Sequence, residues 1–546
     1  MSPASPPPTP QRPPTYVEAI RHALALFEAG RTDQAESLCR ALLRSRPNDF
    51  NALYILGVCA NARRLFPEAV AYLSKALEAN PTSYEALVSR GIALHALDRF
   101  EEAIASYDQA LAIKPGYVEA LCNRGNARQA LGRHLAAMED YDRAIALDPG
   151  QPDAYSNRGS ALLALNRHQE AIENYGRAIA LRPGFAEAYS NRGYALQALG
   201  RHQEAVADCD RATAIRPGYA EAKWIKSHSL LCYGPSEAGW ELYEERLQTK
   251  KYGILRDYGL PLLGRSAPDG KKLLIQWEQR FGDVIQMLRY VPMLERVAGA
   301  CYWQIQQPLR ALVSRSFPGI WQVDISECPS EVEYRVPFTS LPLVLRTFSE
   351  QAIPGRVPYL IANPDTTSRW QRQLQTPRAT PTIGIVWSGN PEPPNRSVPV
   401  ERLLPLLRAP GLRFVSLQRD LSEPDAELLK RIPDLVALGD ALDSFDDNAS
   451  VIAAVDLVIT IDTAIAHLAG ALGRPTWLLL KFGADWRWLI DREESPWYPT
   501  ARLFRQSVLG DWESVIERVA AALSTRFATS STPPAAMPDG IVSMRP

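Results

Sequence analysis

The chain has 546 residues, 46% of them hydrophobic and 22% charged, a composition typical of a globular protein with about two to four domains. Its 60 Lys and Arg residues are balanced by 61 Asp and Glu residues, so the whole-chain charge gives no sign of a nucleic acid or anionic membrane as partner. No apolar run of about 18 residues occurs, and no membrane span is expected.

The cysteines and the N-terminal segment indicate the compartment. Seven cysteines are scattered without a C-x-x-C pair or metal-ligand spacing, and their odd number argues against a disulfide framework. The segment 1–15 is Pro-rich and lacks the apolar core of a signal peptide. We therefore expect a reducing, cytoplasmic location, a disordered tail at 1–15, and neither a metal site nor a cofactor.

The first half of the chain is internally repetitive. Prolines at 47, 81, 115, 149, 183 and 217 and glycines at 57, 91, 125, 159 and 193 recur every 34 residues. This pattern resembles the tetratricopeptide repeat, a unit of two antiparallel helices that stacks into a superhelix. We predict an α-solenoid over 16–249, with small alanines such as Ala69 and Ala103 where two helices cross closely.

A ladder of asparagines marks the predicted concave face of the repeats. Asn123, Asn157 and Asn191 each stand two residues before a repeat glycine, and their amides can both donate to and accept from a peptide backbone. The ladder is similar to that of O-linked N-acetylglucosamine transferase, which implies binding of an extended protein or peptide. The alternatives are that the amides bridge neighbouring repeats or face water. The arginines that follow them, such as Arg124 and Arg158, are expected to keep their charged heads solvated.

The second half alternates strands and helices after a linker at 250–270. It predicts a pair of Rossmann-like α/β lobes, at 271–376 and 377–526, with a hinge at 377–381 and a ligand cleft between them. A disordered tail follows at 527–546.

One βαβ unit stands out in the second lobe. The apolar run 457–461 predicts a strand, a small-residue helix follows, and a second apolar strand begins after Pro475. Asp462 is expected to cap the helix, leaving N–H groups of its first turn at the positive end of the helix dipole, which suits a diphosphate. The alternative is an ordinary structural turn that binds nothing.

Five short motifs carry a family resemblance: GDVIQ at 282–286, PFTSLP at 337–342, WSGNPEPPNRS at 387–397, DTAIAH at 462–467 and DWRW at 485–488. Together they resemble the heptosyltransferase-like glycosyltransferases, family nine, which have the GT-B fold. The chain as a whole resembles bacterial proteins that join tetratricopeptide repeats to such a domain.

The resemblance implies metal-independent, inverting transfer from a nucleoside-diphosphate sugar. By position, Asp283 would be the general base that accepts the proton of the acceptor hydroxyl. The donor-binding residues would be Asn390, Arg396, Ser397, Asp462, Thr463 and His467. The acceptor would be a protein bound by the repeats, or a glycan or lipid-linked saccharide. A non-catalytic peptide-binding scaffold is the alternative from a different functional class.

Two positions depart from the family pattern. Arg280 stands where the family usually has Gly, and a left-handed backbone there would strain the turn. The segment between Asn390 and Arg396 is Pro-rich and shorter than usual, without the His and Asp of the family.

Overall fold

A computed structural model describes residues 15–249, 255–278, 280–374, 380–390, 395–432 and 435–527. The chain divides into two compact units, residues 1–195 and 196–546. The predicted tails lie outside the described residues, apart from Thr15, which caps the first helix, and Phe527, which ends the last. Most of the predicted hinge, 377–379, also lies outside them.

Helices of nearly constant length form the repeats, as the 34-residue period predicted. They are α1 Tyr16–Glu28, α2 Thr32–Ser45, α3 Phe50–Ala62, α4 Phe66–Ala79, α5 Tyr84–Ala96, α6 Phe100–Ile113, α7 Val118–Ala130, α8 His134–Leu147, α9 Pro152–Ala164, α10 His168–Leu181, α11 Ala186–Ala198, α12 His202–Ile215 and α13 Ala220–Leu231. Side chains cap several of their N-termini, as when Asp49 accepts the N–H of Ala52 at 2.9 Å.

The repeat glycines are explained by close packing of the two helices in a unit. A Cβ at Gly125 would lie 2.6 Å from the ring of Tyr141, and one at Gly91 would lie 2.4 Å from the ring of Tyr107. The repeat alanines Ala69 and Ala103 are completely buried. The prediction of small residues at the helix crossings is therefore confirmed.

The unit 196–546 continues with short helices and two parallel sheets. The helices are α14 Glu237–Tyr243, α15 Phe281–Met287, α16 Val291–Val297, α17 Gln307–Ser316, α18 Leu341–Val344, α19 Pro364–Leu374, α20 Val400–Leu407, α21 Glu423–Leu429, α22 Phe445–Ala454, α23 Ala464–Ala471 and α24 Trp512–Phe527. The strands are β1 Lys272–Gln276, β2 Ala300–Gln304, β3 Trp321–Val323, β4 Tyr334–Pro337, β5 Thr382–Val386, β6 Arg413–Ser416, β7 Val436–Ala437, β8 Leu457–Ile461, β9 Thr476–Leu480 and β10 Ala501–Arg505.

The first lobe contains a sheet with the strand order β3-β2-β1-β4, in which all pairs are parallel. After the first strand of this lobe the sequence pattern predicts one helix over 284–297. The structure has two shorter helices there, because α15 ends at Met287 and a 3-10 turn leads into α16. Pro292 lies in the first turn of α16, where its missing N–H is tolerated but where it cannot continue a preceding helix. The amphipathic helix α19 was not predicted from the sequence.

The second lobe contains a parallel sheet with the order β10-β9-β8-β5-β6-β7. Its central strands β5, β8 and β9 are buried along their whole length, as expected for a parallel sheet covered by helices on both faces. The predicted βαβ unit is confirmed as β8, α23 and β9.

Candidate functional site

The strand order of the second sheet locates its ligand edge. Numbered from β5, the order is that of a doubly wound sheet, 3-2-1-4-5-6, and the direction of winding reverses between β5 and β8. In such sheets the ligand crevice lies at the carboxyl ends of the two strands that flank the reversal. The loop after β5 and the turn after β8 are therefore the candidate donor side.

The predicted donor residues on these two loops are brought together. A Cβ at Gly389, after β5, would lie 3.1 Å from both the Arg396 guanidinium and the Thr463 methyl group. Arg396 donates from Nη1 to the carbonyl of Asp462 at 3.1 Å and from Nε to the carbonyl of Asn390 at 3.1 Å. The intervening residues 391–394 lie outside the described part of the chain.

Arg396 carries a positive charge without a matching carboxylate. Its side-chain hydrogen bonds within the described residues go to backbone carbonyls, and it forms no ion pair there. Burial lowers the pKa of its guanidinium, an effect that Asp462 opposes. Ser397 accepts the N–H of Gly389 at 3.3 Å and so closes the base of this loop.

The turn after β8 differs from the prediction in one respect. The helix α23 is capped by Thr463 rather than by Asp462, and the Thr463 side chain makes no capping bond. The expected Asp462 cap is wrong because Arg396 holds the Asp462 carbonyl and the helix begins one residue later. Burial raises the pKa of the Asp462 carboxyl, and the carboxylate of Asp485 raises it further.

Lys481 is a cation at this edge that the sequence did not reveal as part of the site. Pairing of Ile461 with Leu479 puts Lys481, which directly follows β9, at the same edge of the sheet as the turn after β8. Burial lowers the pKa of its ammonium group, while Asp462 and Asp485 act in the opposite direction. Within the described part of the chain it has no ion pair. Hydrophobic periodicity does not mark a lysine that follows an apolar strand, so the sequence could not identify Lys481 as a site residue.

The first lobe brings its predicted base to the equivalent edge. Its sheet also reverses direction beside its first strand, between β1 and β4, and Asp283 lies in the first turn of α15, which follows β1. Arg280 does not adopt the left-handed backbone that would strain the turn, because its φ of -125° is an extended conformation open to any residue. Burial raises the pKa of Asp283, and the Arg487 guanidinium acts against that rise.

Arg487 joins the two lobes at this point. It donates from Nη2 to Asp283 at 2.6 Å, from Nη1 to Asp485 at 2.7 Å and from Nε to Gln286 at 2.8 Å. Its side chain is only 11% exposed, against 20% for Asp283. In the sequence, the DWRW motif contributes only to the family resemblance and predicts no role for Arg487.

His467 lies in the contact between α15 and α23. Its Nδ1 is 2.9 Å from the Tyr498 hydroxyl, and its ring stacks on Trp488 with centroids 5.3 Å apart. A Cβ on Gly282 would be 2.8 Å from the imidazole. Burial, with Arg487 acting in the same direction, lowers the pKa of His467 to about 3. The ring is therefore neutral and packed, and its part in donor binding stays a prediction.

The asparagine ladder is half-buried and free of protein partners in its own unit. Within residues 15–195, none of Asn123, Asn157 and Asn191 makes a side-chain hydrogen bond, which disfavours the bridging alternative. The expectation of a solvated arginine head is wrong for Arg124. Arg124 is buried and pairs with Asp140 at 2.5 Å and Asp108 at 2.6 Å, because these carboxylates on neighbouring second helices reach it.

No helix in the described ranges combines the length and apolarity needed to cross a membrane. Nor do three or more His, Cys, Asp or Glu side chains come together there in an arrangement able to hold a metal ion.

Comparison with known families identifies the repeats. Models of the tetratricopeptide repeat match residues 20–84, 118–151, 140–173 and 186–219, and a TPR repeat model matches residues 91–132 and 159–200. The first half of the chain is a tetratricopeptide repeat array. Such arrays are protein-interaction scaffolds, with an extended concave surface for binding.

Individual relatives cover only part of the chain. Protein FlbA of Caulobacter vibrioides is 29% identical over 324 residues, which are 54% of this chain and 53% of FlbA, so the chain spans about half the length of this relative. Among solved structures, MamA is 27% identical over 32% of this chain and 94% of its own, with a TM-score of 0.28. A tetratricopeptide repeat protein of Parabacteroides merdae is 20% identical over 42% of this chain and 91% of its own, with a TM-score of 0.37.

Proposed function

We propose that the α/β region is a GT-B glycosyltransferase that moves a sugar from a nucleoside-diphosphate sugar to an acceptor bound by the tetratricopeptide array. One observation carries the proposal: the reversal points of the two parallel sheets are in contact. Gly282, beside Asp283, packs on His467 and Ala464 of α23, and the N-cap of that helix, Thr463, meets the Gly389 loop and Arg396. A candidate base and a candidate phosphate-binding cation therefore belong to one continuous set of contacts.

The state of Asp283 suits a general base. One carboxylate oxygen accepts from Arg487, which orients the group and leaves the second oxygen to take a proton. The competing carboxylate, Glu278, already accepts from Arg246, from the Thr339 N–H and from the Thr339 hydroxyl. Asp283 is thus the better candidate of the two.

In the proposed reaction the acceptor hydroxyl oxygen attacks the anomeric carbon while Asp283 takes its proton. The bond between that carbon and the donor phosphate oxygen breaks, and the nucleoside diphosphate leaves with the electron pair. Attack opposite the leaving group inverts the anomeric configuration. A positioned base of this kind contributes about 10²–10⁴-fold to the rate.

Positively charged groups at fixed positions would stabilise the negative charge of the leaving diphosphate. Arg396 presents a planar guanidinium with no carboxylate partner among the described residues, and the first N–H groups of α23 lie at the positive end of a helix dipole. Lys481 adds a second cation at the neighbouring strand end. Asn390 and Ser397 shape the Arg396 loop, and Asp462 supplies the carbonyl that orients its guanidinium.

A second candidate function is a non-catalytic scaffold that binds peptides through the repeats. The observation behind it is the ladder of amides that make no side-chain hydrogen bond within residues 15–195, because such amides can bind a peptide without any catalysis. Under the enzyme proposal the same ladder recruits the acceptor.

The proposal is tested with Asp283→Asn in the full chain. Wild-type protein is incubated with a panel of nucleoside-diphosphate sugars and cell lysate, and products are read by intact-protein and glycan mass spectrometry. The variant should lower turnover by about two orders of magnitude and leave donor affinity nearly intact. Asp365→Asn, at an exposed carboxylate of α19, is the matched control and should turn over like wild type. Equal turnover by Asp283→Asn would refute the assignment of the base.

A further inference from the structure

A buried guanidinium connects the end of the repeat array with the first sheet. Arg246 lies in the 3-10 helix Glu244–Gln248, which follows α14 and is the last described element before residue 250, and its side chain is 1% exposed. Its Nε donates to Glu278 at 2.9 Å and its Nη2 to the Ser340 hydroxyl at 2.8 Å. Its Nη1 donates to Glu244 at 2.7 Å and to the Tyr243 carbonyl at 3.1 Å.

Glu278 extends this network across the reversal point of the first sheet. It stands two residues after β1, and its second oxygen accepts from the N–H and the hydroxyl of Thr339 at 2.7 and 2.6 Å. Thr339 lies in the turn directly after β4. One carboxylate thus holds together the ends of β1 and β4 and the segment that follows the repeats.

The network bears on Asp283 because it holds the strand end from which the turn carrying Asp283 begins. Glu278 and Asp283 are separated by four residues, and Arg280, the N-cap of α15, makes no side-chain capping bond. A buried ion pair is a poor source of stability compared with apolar packing, whereas it can fix one geometry among several. Its location at the strand end next to the candidate base points to such an orienting role.

The same segment also supports the partner of Asp283. The rings of Trp240 and Tyr243 pack on Trp486 with centroids 5.0 and 5.9 Å apart. Trp486 directly precedes Arg487, whose guanidinium lies 4.3 Å over the Trp486 ring. Residues 240–246 therefore support both members of the ion pair: Asp283 through Glu278, and Arg487 through Trp486.

We propose that Arg246 is a positioning residue that fixes the turn carrying Asp283, which makes the segment after the repeats a structural part of the transferase site. Arg246 touches no reacting atom in this account and acts through Glu278. The catalytic meaning of the inference rests on the proposed function, whereas the fixing of the turn does not.

The test compares Arg246→Lys with Arg265→Lys in the full chain. Lysine keeps the charge but, with a single ammonium, cannot reach Glu278, Glu244 and Ser340 together. Arg265 is a matched control, because it also pairs with two carboxylates, Glu237 at 2.7 Å and Glu241 at 2.5 Å, but is 62% exposed and bonds neither Glu278 nor Ser340.

Amide hydrogen exchange of α15, residues 281–287, gives the first readout. We expect exchange about tenfold faster in Arg246→Lys and unchanged exchange in the control, with the repeats unaffected in both. Unchanged exchange of α15 in Arg246→Lys would overturn the inference. If the variant does not fold, Glu278→Gln, which keeps an acceptor for Thr339 but loses the ion pair, replaces it under the same criterion.

Steady-state kinetics give the second readout. A lowered kcat, by on the order of 10–10²-fold, with an unchanged donor KM supports positioning, whereas a loss of protein stability alone would leave kcat per folded molecule unchanged and would overturn it. A wild-type chain without turnover on any donor refutes the proposed function instead, and the exchange result then decides the inference alone.

Discussion

Replacing Arg487 with Gln is expected to destabilise the unit 196–546 strongly. The guanidinium is 11% exposed and pairs with Asp283, 20% exposed, and Asp485, 30% exposed. Removing one member of a buried ion pair typically costs about 3–5 kcal/mol, because the remaining charge is left buried and unpaired. Partial exposure of both carboxylates lets water replace some of the lost interaction, so we expect the lower end, about 3 kcal/mol.

For the unit 196–546 such a loss lowers the melting temperature by about 4 °C, because an unfolding entropy of about 2.1 cal/mol/K per residue gives about 1.4 °C per kcal/mol. Scanning calorimetry should show this in the transition of the α/β region. Arg502→Gln is the control, because its pair with Glu493 at 3.1 Å is exposed and is worth at most about 1 kcal/mol. In a double-mutant cycle, Asp283→Asn and Arg487→Gln should couple by at least about 1 kcal/mol. Additive effects, or a variant that melts within about 2 °C of wild type, would refute the buried cluster.

Two further predictions concern pH and the repeats. The pKa of His467 is about 3 in the folded chain and about 6.5 in the unfolded chain, so between these values only the unfolded chain takes up this proton. The free energy of unfolding should therefore fall as the pH falls below 6.5, by up to about 1.4 kcal/mol per pH unit. His467→Asn should flatten this slope in urea titrations from pH 7.5 to 5, and equal slopes would contradict it. Replacing Asn123, Asn157 and Asn191 together with Ala should change stability by less than about 1 kcal/mol yet weaken binding of an acceptor peptide in calorimetry; unchanged affinity would show that the ladder is not used.

The sequence predicted those features that depend on period and burial. The 34-residue spacing was enough for the repeat helices, since Gly57, Gly91, Gly125 and Gly159 each face a bulky side chain of the partner helix. Apolar runs located the strands of both sheets, and the first turn of α23 could be found because a strand and a small-residue helix flank it. The break after Met287 was missed because Pro292 can begin a helix as well as end one.

The contacts that assemble the site could not be predicted, because they join residues far apart in the chain. Arg487 reaches Asp283 across 204 positions and Arg396 reaches Asp462 across 66, and no local pattern marks either pair. Lys481 and Arg246 were overlooked for the same reason. The Asp462 cap failed because a tertiary contact, from Arg396 to a carbonyl, decided where the helix begins.

Binding of a nucleoside diphosphate is the decisive measurement for the proposed donor site between β5 and β8. At a hundredfold excess over its dissociation constant, a nucleotide that binds only the folded state adds about 2.7 kcal/mol, a melting shift of about 4 °C for the unit 196–546 at about 1.4 °C per kcal/mol. The shift should appear in the transition of the α/β region for at least one nucleoside diphosphate. Arg396→Ala should reduce it, while Arg402→Ala, at an exposed pair with Glu513, should not. If no nucleoside diphosphate of any base shifts that transition in protein shown to be folded by circular dichroism, the donor site at the β5–β8 reversal is contradicted.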